Sequence, residues 1–142
     1  MPVRTKRAYE PPDPTDGSRY LVDRLWPRGV TAERLQLTAW RKELAPSDSL
    51  RRWFGHDPRR FDEFRRRYRR ELSLQAEAID RLRGEARQGT ITLVFAARDP
   101  ATSNAAVLAE LLADTNPGGR PVNAGASTGP RATPPARRVR AR

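Results

Sequence analysis

The chain has 142 residues, the length of one ordinary domain. It contains no cysteine and a single histidine, His56. The sequence therefore excludes a disulfide framework, a thiolate nucleophile and a zinc site built from cysteines or several histidines, and we predict no metal and no cofactor. No apolar run approaches the ~20 residues of a membrane span and the N-terminus lacks a signal-peptide pattern, so we expect a cytoplasmic protein.

The formal net charge of +11 indicates anionic partners. This charge is unevenly spread along the chain. Residues 115–142 hold six arginines and no acidic residue, while residues 1–114 hold 22 basic and 17 acidic side chains. About half of the positive excess therefore belongs to the C-terminal segment, and the remainder belongs to the domain that precedes it.

The first part of the chain predicts two strands joined by a turn. Residues 3–9 are typical of a short strand, and the segment 13–17, rich in Pro, Asp and Gly, is typical of a turn. Residues 19–26 predict a second, buried strand that Pro27 ends. Its apolar residues are Leu21, Val22, Leu25 and Trp26.

Two charged residues, Asp23 and Arg24, interrupt this second strand. Buried charges are unfavourable unless they are paired or used by the protein. Two interpretations are open: a site near the carboxyl end of the strand, or a buried ion pair that fixes the register of the sheet.

Short elements and then longer helices follow. Thr31 is a predicted N-cap of a short helix that ends near Leu35. The alternating residues 37–42 predict a strand, with a helix as the alternative. Ser47 is suited to cap a short helix that Gly55 ends, and the pair Asp57-Pro58 begins the next helix.

Two amphipathic helices dominate the middle of the chain. The first buries one face and carries arginines on the others. The buried face comprises Phe61, Phe64, Tyr68 and Leu72. A second helix spans the apolar positions from Leu74 to Ala86, and Gly89 lies beyond its end.

The last predicted elements are a strand, a loop and a helix. Residues 90–97 have no polar face after Thr92, which suits a strand covered on both sides. A loop at 98–104 leads to a helix whose core positions are Val107, Leu108, Leu111 and Leu112. Residues 115–142 lack apolar periodicity, and we predict that this basic tail is disordered. Residues 1–114 thus predict an α/β domain with a small, open, mostly parallel sheet of about four strands and helices packed on it.

The carboxyl edge of such a sheet is the expected place for a ligand site. A helix N-terminus after the last strand favours an anion there, although capping of that helix is the alternative role of the loop residues. The predicted ligand-binding residues are Asp23, Arg24, Arg28, Arg98, Ser103 and Asn104. We expect Arg24 and Arg28 to bind the anion and Asp23 to orient Arg24. His56 is the candidate for proton transfer, with a structural turn histidine as the alternative.

The arginine-rich helix and the tail suggest a second function, non-specific binding of nucleic acid through phosphate contacts. The residues concerned are Arg59, Arg66, Arg67, Arg70, Arg137 and Arg138. A solvated helix face is the alternative, because Asp62–Arg66 and Glu63–Arg67 have the spacing of favourable ion pairs. A third interpretation is a structural or protein-interaction domain. The sequence leaves open whether any ligand is chemically transformed, and it predicts no membrane partner.

Several segments resemble signature motifs of a known family: Asp-Arg-Leu-Trp-Pro-Arg-Gly at 23–29, Lys-Glu-Leu-Ala-Pro-Ser at 42–47, Trp-Phe-Gly-His-Asp-Pro at 53–58, and residues 92–99. Over about residues 3–114 the chain resembles the YeaO-like branch of domain-of-unknown-function family 488. The resemblance implies a small, single-domain prokaryotic cytoplasmic α/β protein and implies no particular activity.

The chain departs from this family's pattern at the start of the last helix. Wider relatives often carry a Cys-His pair where this chain has Ser103 and Asn104, so the resemblance implies no thiol chemistry here. The YeaO-like branch commonly has two asparagines at this point, whereas this chain has Asn104 followed by Ala105.

Overall fold

The structure, a computed structural model, describes residues 3–114. Within the described residues, positions 3–110 form one compact unit, which contains the sheet. The predicted disordered tail at 115–142 lies outside the described residues. The predicted domain boundary at residue 114 therefore stays a prediction.

Within residues 3–114, four strands form one parallel sheet. They are β1 (Val3–Arg7), β2 (Ser18–Leu21), β3 (Ala39–Trp40) and β4 (Ile91–Phe95). Their order across the sheet is β1-β4-β2-β3, and every neighbouring pair is parallel. The predicted α/β class with a small parallel sheet is confirmed.

The helices of the described residues are α1 (Ala32–Leu35), α2 (Asp48–Phe54), α3 (Phe61–Leu72), α4 (Ala76–Gln88) and α5 (Asn104–Ala113). The predicted N-caps Thr31 and Ser47 both accept hydrogen bonds from the first turns of their helices. Gly55 ends α2 with φ 55°, a left-handed conformation that favours glycine. None of these helices is both long and apolar enough to cross a bilayer. The predicted cytoplasmic location stays a prediction.

The central strand β4 is buried at all five positions. On one face of the sheet, Val94 packs with Leu21 of β2 and Leu35 of α1. Alternate strand residues point to the opposite face. There Tyr20 of β2 donates a hydrogen bond to Glu85 of α4. The prediction of a strand covered on both sides is thus confirmed.

The predicted apolar face of α3 forms the core beneath α2. Phe64, Tyr68 and Leu72 are buried, and the ring of Phe54 stacks on Phe64 with centroids 4.3 Å apart. Stacked aromatic side chains of this size bury large areas and therefore fix the angle at which two helices meet.

The predicted extent of β2 to Trp26 is wrong. The strand ends at Leu21, and the N–H of Val22 makes one further bond to the Val94 carbonyl at 3.0 Å. The chain then turns away, because the indole N–H of Trp40 donates to the carbonyl of Asp23 at 2.7 Å. Leu25 and Trp26 are 59% and 37% exposed, so they are not core residues of a strand.

Other predicted elements are shorter than expected. Because β2 offers only Tyr20 and Leu21 as pairing partners, the segment 37–42 forms a two-residue strand and then a 3-10 turn. The first strand ends at Arg7 rather than at residue 9. Leu74 lies in a 3-10 turn before α4 and is 83% exposed, so its predicted place on the buried helix face is also wrong.

At the amino end of the sheet, the fully buried carboxylate of Asp16 is surrounded by donors. Arg19 Nη1 lies 2.7 Å from it, Lys6 Nζ lies 3.2 Å away, and the N–H of Asp13 donates at 3.0 Å. Burial alone would raise the pKa of Asp16. The hydrogen bonds from Asp13, Lys6 and Arg19 outweigh burial, and the pKa of Asp16 lies below its ordinary value of 3.8.

We expect Asp16→Asn to lower the free energy of unfolding by about 3–5 kcal/mol at neutral pH, because Arg19 and Lys6 lose their counter-charge. A carboxylate with a lowered folded-state pKa makes its full contribution to the free energy of unfolding above pH 3.8. This contribution disappears as the pH falls below that value. Urea unfolding at several pH values should therefore show a difference that shrinks in acid. An equal loss in the control Asp62→Asn, on the exposed face of α3, would contradict the prediction.

Gly17 leads into β2 with φ +64°, and a Cβ atom there would lie 2.0 Å from the Thr90 carbonyl oxygen. Gly29 has φ +79°, but a Cβ atom there meets no atom within 4 Å. We expect Gly29→Ala to cost about 1–2 kcal/mol through backbone strain alone. Gly17→Ala must also displace the start of β4, and its loss should be clearly larger. Equal shifts in thermal unfolding would refute this distinction.

Candidate functional site

A cavity of about 850 Å³ lies at the carboxyl edge of the sheet. Its walls come from the segments that follow β1, β2 and β4, and from α2 with the turn after it. The lining residues predicted from sequence are Asp23, Arg24, Arg28, Arg98, Ser103, Asn104 and His56. The structure therefore brings all of these predicted residues to one cavity, and their binding of a ligand stays a prediction.

The carboxylate of Asp23 is held by two neutral donors. The N–H of Ala96, just after β4, donates to Oδ2 at 2.8 Å, and the amide of Asn104 donates to Oδ1 at 3.1 Å. The same Asn104 nitrogen also lies 2.8 Å from the carbonyl of Val22. This arrangement ties the ends of two central strands to the first residue of α5.

Burial raises the pKa of Asp23 above its ordinary value. The hydrogen bonds from Ala96 and Asn104, and the charge of nearby His56, act in the opposite direction and reduce the shift. The folded protein therefore holds the Asp23 proton more strongly than the unfolded chain does.

The predicted pairing of Asp23 with Arg24 is wrong. The Arg24 side chain is exposed, and its Nε donates to the carbonyl of Pro46 at 3.1 Å. Because the strand ends at Leu21, Arg24 lies on a turn at the surface and not inside the sheet. Asp23 thus orients Asn104 rather than Arg24, and no buried ion pair sets the register at this position.

The turn after β2 is fixed by backbone and indole contacts. The hydroxyl of Tyr9 donates to the Arg28 carbonyl at 3.2 Å, and the indole N–H of Trp26 donates to the Val30 carbonyl at 2.6 Å. The rings of Trp26 and Trp40 meet edge to face, with centroids 5.4 Å apart. One wall of the cavity therefore has a defined geometry although it is exposed.

Positive charge predominates around the cavity, which is lined by five arginines and two aspartates. Some of these arginines already have partners: Arg7 donates to the Ala97 carbonyl at 2.9 Å, and Arg51 pairs with Asp48 at 2.5 Å. The guanidinium groups of Arg28 and Arg98 have no such partner among residues 3–114.

The two polar residues at the start of α5 differ in role. Ser103 is buried; its hydroxyl donates to the Pro100 carbonyl at 2.8 Å and accepts from the Ala106 N–H at 3.1 Å. Ser103 therefore caps the helix, which was the alternative predicted for this loop. Asn104 instead turns towards the strand ends and holds Asp23.

His56 is exposed at the rim of the cavity, in the turn between α2 and α3. It has φ 58°, a left-handed conformation that is uncommon for a residue with a side chain. Its ring lies 6.1 Å from that of Phe54. Strained residues of this kind often occur at functional sites, and the proposed proton transfer by His56 stays a prediction.

The predicted nucleic-acid residues in and just before α3 lie outside this cavity, and three of them are ion-paired. Arg59 contacts Asp57 at 3.1 Å, and both Arg66 and Arg67 bind Glu63. Arg137 and Arg138 lie outside the described residues, and Arg70 is exposed on α3. Nucleic-acid binding stays a prediction, and the pairing of these arginines with acids supports the alternative of a solvated helix face.

Sequence reasoning missed several lining residues, among them Arg7, Tyr9, Arg51, Phe54 and Phe64. Arg7 is the last residue of a parallel strand and Tyr9 lies two residues beyond it, so the rule that placed Asp23 at the carboxyl edge also applied to them. No sequence pattern distinguished the lining aromatic residues from core residues of the helices. Among residues 3–114, no group of three or more histidine, aspartate or glutamate side chains is arranged to hold a metal ion.

The fold and the cavity define a small parallel α/β protein with an arginine-lined cavity at the carboxyl edge of its sheet. The chain belongs to the inactive DUF488-N3 subclade, whose family profile matches residues 2–127. This finding confirms the family resemblance that the sequence motifs predicted.

Two relatives illustrate this membership. The uncharacterized protein Rv3073c of Mycobacterium tuberculosis (strain H37Rv) is 48% identical over 110 residues, which cover 78% of this chain and 92% of the relative. The uncharacterized protein YeaO of Escherichia coli (strain K12) is 38% identical over 112 residues, which cover 79% and 97%. No solved structure matches the chain.

We expect Asn104→Ala to raise the pKa of Asp23 further, because the amide hydrogen bond lowers it in the native protein. The variant also leaves the Val22 carbonyl without this donor, at a cost of about 1–3 kcal/mol. When the folded-state pKa of a carboxyl group is raised, the free energy of unfolding of the protein falls as the pH rises above the ordinary value of 3.8. The loss should therefore be larger at neutral pH than in mild acid.

Carbon-detected NMR titration of the Asp23 carboxyl group and urea unfolding measure these two effects. The matched control is Gln88→Ala at the exposed end of α4. An unchanged pKa of Asp23 in the Asn104→Ala protein would contradict the assigned role.

Proposed function

We propose that the protein binds a small anionic ligand with an apolar portion in the carboxyl-edge cavity, and does not transform it. One observation carries the proposal: Arg28 and Arg98 line the cavity from two different segments, and neither guanidinium group has a partner among residues 3–114. Two unpaired guanidinium groups suit a phosphate or carboxylate, which they bind through charge-assisted hydrogen bonds. The volume of about 850 Å³ falls within the range of small-molecule sites.

The side chains around the cavity support binding rather than catalysis. The hydroxyl of Ser103 is committed to two hydrogen bonds of the helix cap. Among the described residues, no hydrogen bond links His56 to a hydroxyl or carboxylate group, so the pairing of a nucleophile with an oriented base is missing. The description of the family as inactive agrees with this proposal.

The test is a thermal-shift screen of the full chain against phosphorylated, sulfated and carboxylated metabolites and their uncharged parents. We expect an anion to raise the midpoint of unfolding while its uncharged parent does not. Arg28→Gln and Arg98→Gln should each weaken binding about tenfold or more, because each removes charge-assisted hydrogen bonds worth about 1.5–3 kcal/mol.

The matched control is Arg87→Gln, which removes the same charge from an exposed position on α4 away from the lining residues. This variant should bind as the wild-type protein does. If the losses in all three variants are equal, the net charge alone is responsible and the proposed site is wrong.

A further inference from the structure

Within residues 3–114, no arginine or lysine is hydrogen-bonded or ion-paired to the carboxylate of Asp23, although five arginines line the same cavity. Within residues 3–114 its hydrogen-bond donors are the backbone N–H of Ala96 and the side-chain amide of Asn104, both neutral. Each carboxylate oxygen has accepted one hydrogen bond and retains capacity for another. The cavity therefore presents a carboxylate that is bound only by neutral donors of the described chain and whose two oxygens can accept from a ligand.

The charged residues of the cavity differ in exposure. Asp23 is half-buried at the ends of the central strands. Arg7 and Arg51 are also half-buried, but their guanidinium groups have partners within the protein. Arg24, Arg28 and Arg98 are exposed. A matching ligand has hydrogen-bond donors at its inner end and negative charge at its outer end. Inorganic phosphate alone satisfies only the outer part of this pattern.

Exposed apolar side chains also line the cavity. Within the described chain the exposed large hydrophobic residues are Tyr9, Leu25, Trp26 and Leu74, and the first three of these line the cavity. The Trp26 ring is held in place by its hydrogen bond to Val30 and its contact with Trp40. A fixed, exposed indole is a suitable surface for a planar heterocycle.

We propose that the ligand is a planar heterocycle with a 2-amino-4-oxopyrimidine ring, as in guanine or a pterin, that carries an anionic tail. The adjacent ring N–H and 2-amino group of such a ring donate in parallel to the two oxygens of Asp23. The ring lies against the wall formed by Tyr9 and Trp26, and the anionic tail reaches Arg28 and Arg98. This inference rests on the proposed function, since it names the ligand class of the same cavity.

The test measures binding of GMP, IMP, AMP and folate to the full chain by calorimetry and by quenching of tryptophan fluorescence. IMP lacks only the 2-amino group of GMP, so this pair examines the contact to Asp23 without a change in the protein. We expect GMP or folate to bind at least about tenfold more tightly than IMP and AMP, because a site built for a hydrogen-bond donor rejects the analogue that lacks it.

Asp23→Asn should abolish this preference, because an amide accepts at only one of its two atoms. The matched control Asp99→Asn removes a second carboxylate of the cavity. Asp99 caps the turn before α5 through a hydrogen bond from the Ala101 N–H, and this variant should keep the preference.

The outcomes separate the two proposals. Preferential binding of GMP identifies the ligand as a guanine nucleotide. Preferential binding of folate with weak binding of GMP identifies it as a pterin, and either result supports the inference. Equal binding of GMP, IMP and AMP that still depends on Arg28 overturns the inference and leaves the proposed function standing. Failure of every probe, with no anion stabilising the protein in the thermal-shift screen, overturns both.

Discussion

The hydrogen bonds around Asp23 connect the end of β2 with β3 and with the distant segment from β4 to α5. Its carboxylate accepts from the residue that follows β4 and from the first residue of α5, and its carbonyl accepts from the Trp40 side chain. The end of β2, the end of β4 and the start of α5 therefore have fixed positions relative to one another. These three chain ends line the cavity and are joined to one another through the Asp23 carboxylate.

The sheet has one buried or half-buried aspartate at each end, and the two have opposite surroundings. Asp16 at the amino end lies within ion-pair distance of Arg4, Lys6 and Arg19, and it stabilises the fold. Asp23 at the carboxyl end is held by neutral donors. The hydrogen-bonding capacity of the first is used within the protein, whereas the second retains capacity for a partner from outside.

Much of the fold could be predicted from the sequence because its signals are local. The apolar run of β4 predicts a central strand, and Thr31, Ser47 and Gly55 mark helix ends through their own hydrogen bonds and φ values. The end of β2 could not be predicted in this way. Leu25 and Trp26 are apolar, but the chain turns away after Leu21, where the distant Trp40 binds the carbonyl of Asp23.

The same distinction applies to the candidate site. The rule for parallel sheets placed Asp23, Arg28 and Asn104 near one edge without knowledge of the fold. Which residue contacts Asp23 depended on the point at which the strand stops, and the sequence contains no signal for that point. For this reason the predicted residues line one cavity and their binding of a ligand stays a prediction, whereas the predicted partner of Asp23 is wrong.

The strand order has a consequence for self-association. Both edge strands of a sheet expose backbone groups that can pair with another chain. One edge is β1, which carries Arg4, Lys6 and Arg7 among its five residues, and the other is β3, which has two residues. The positive charge clustered on β1 and the short length of β3 both disfavour extension of the sheet by strands from further copies of the chain. Both edge strands of the sheet are therefore unfavourable for aggregation through strand pairing.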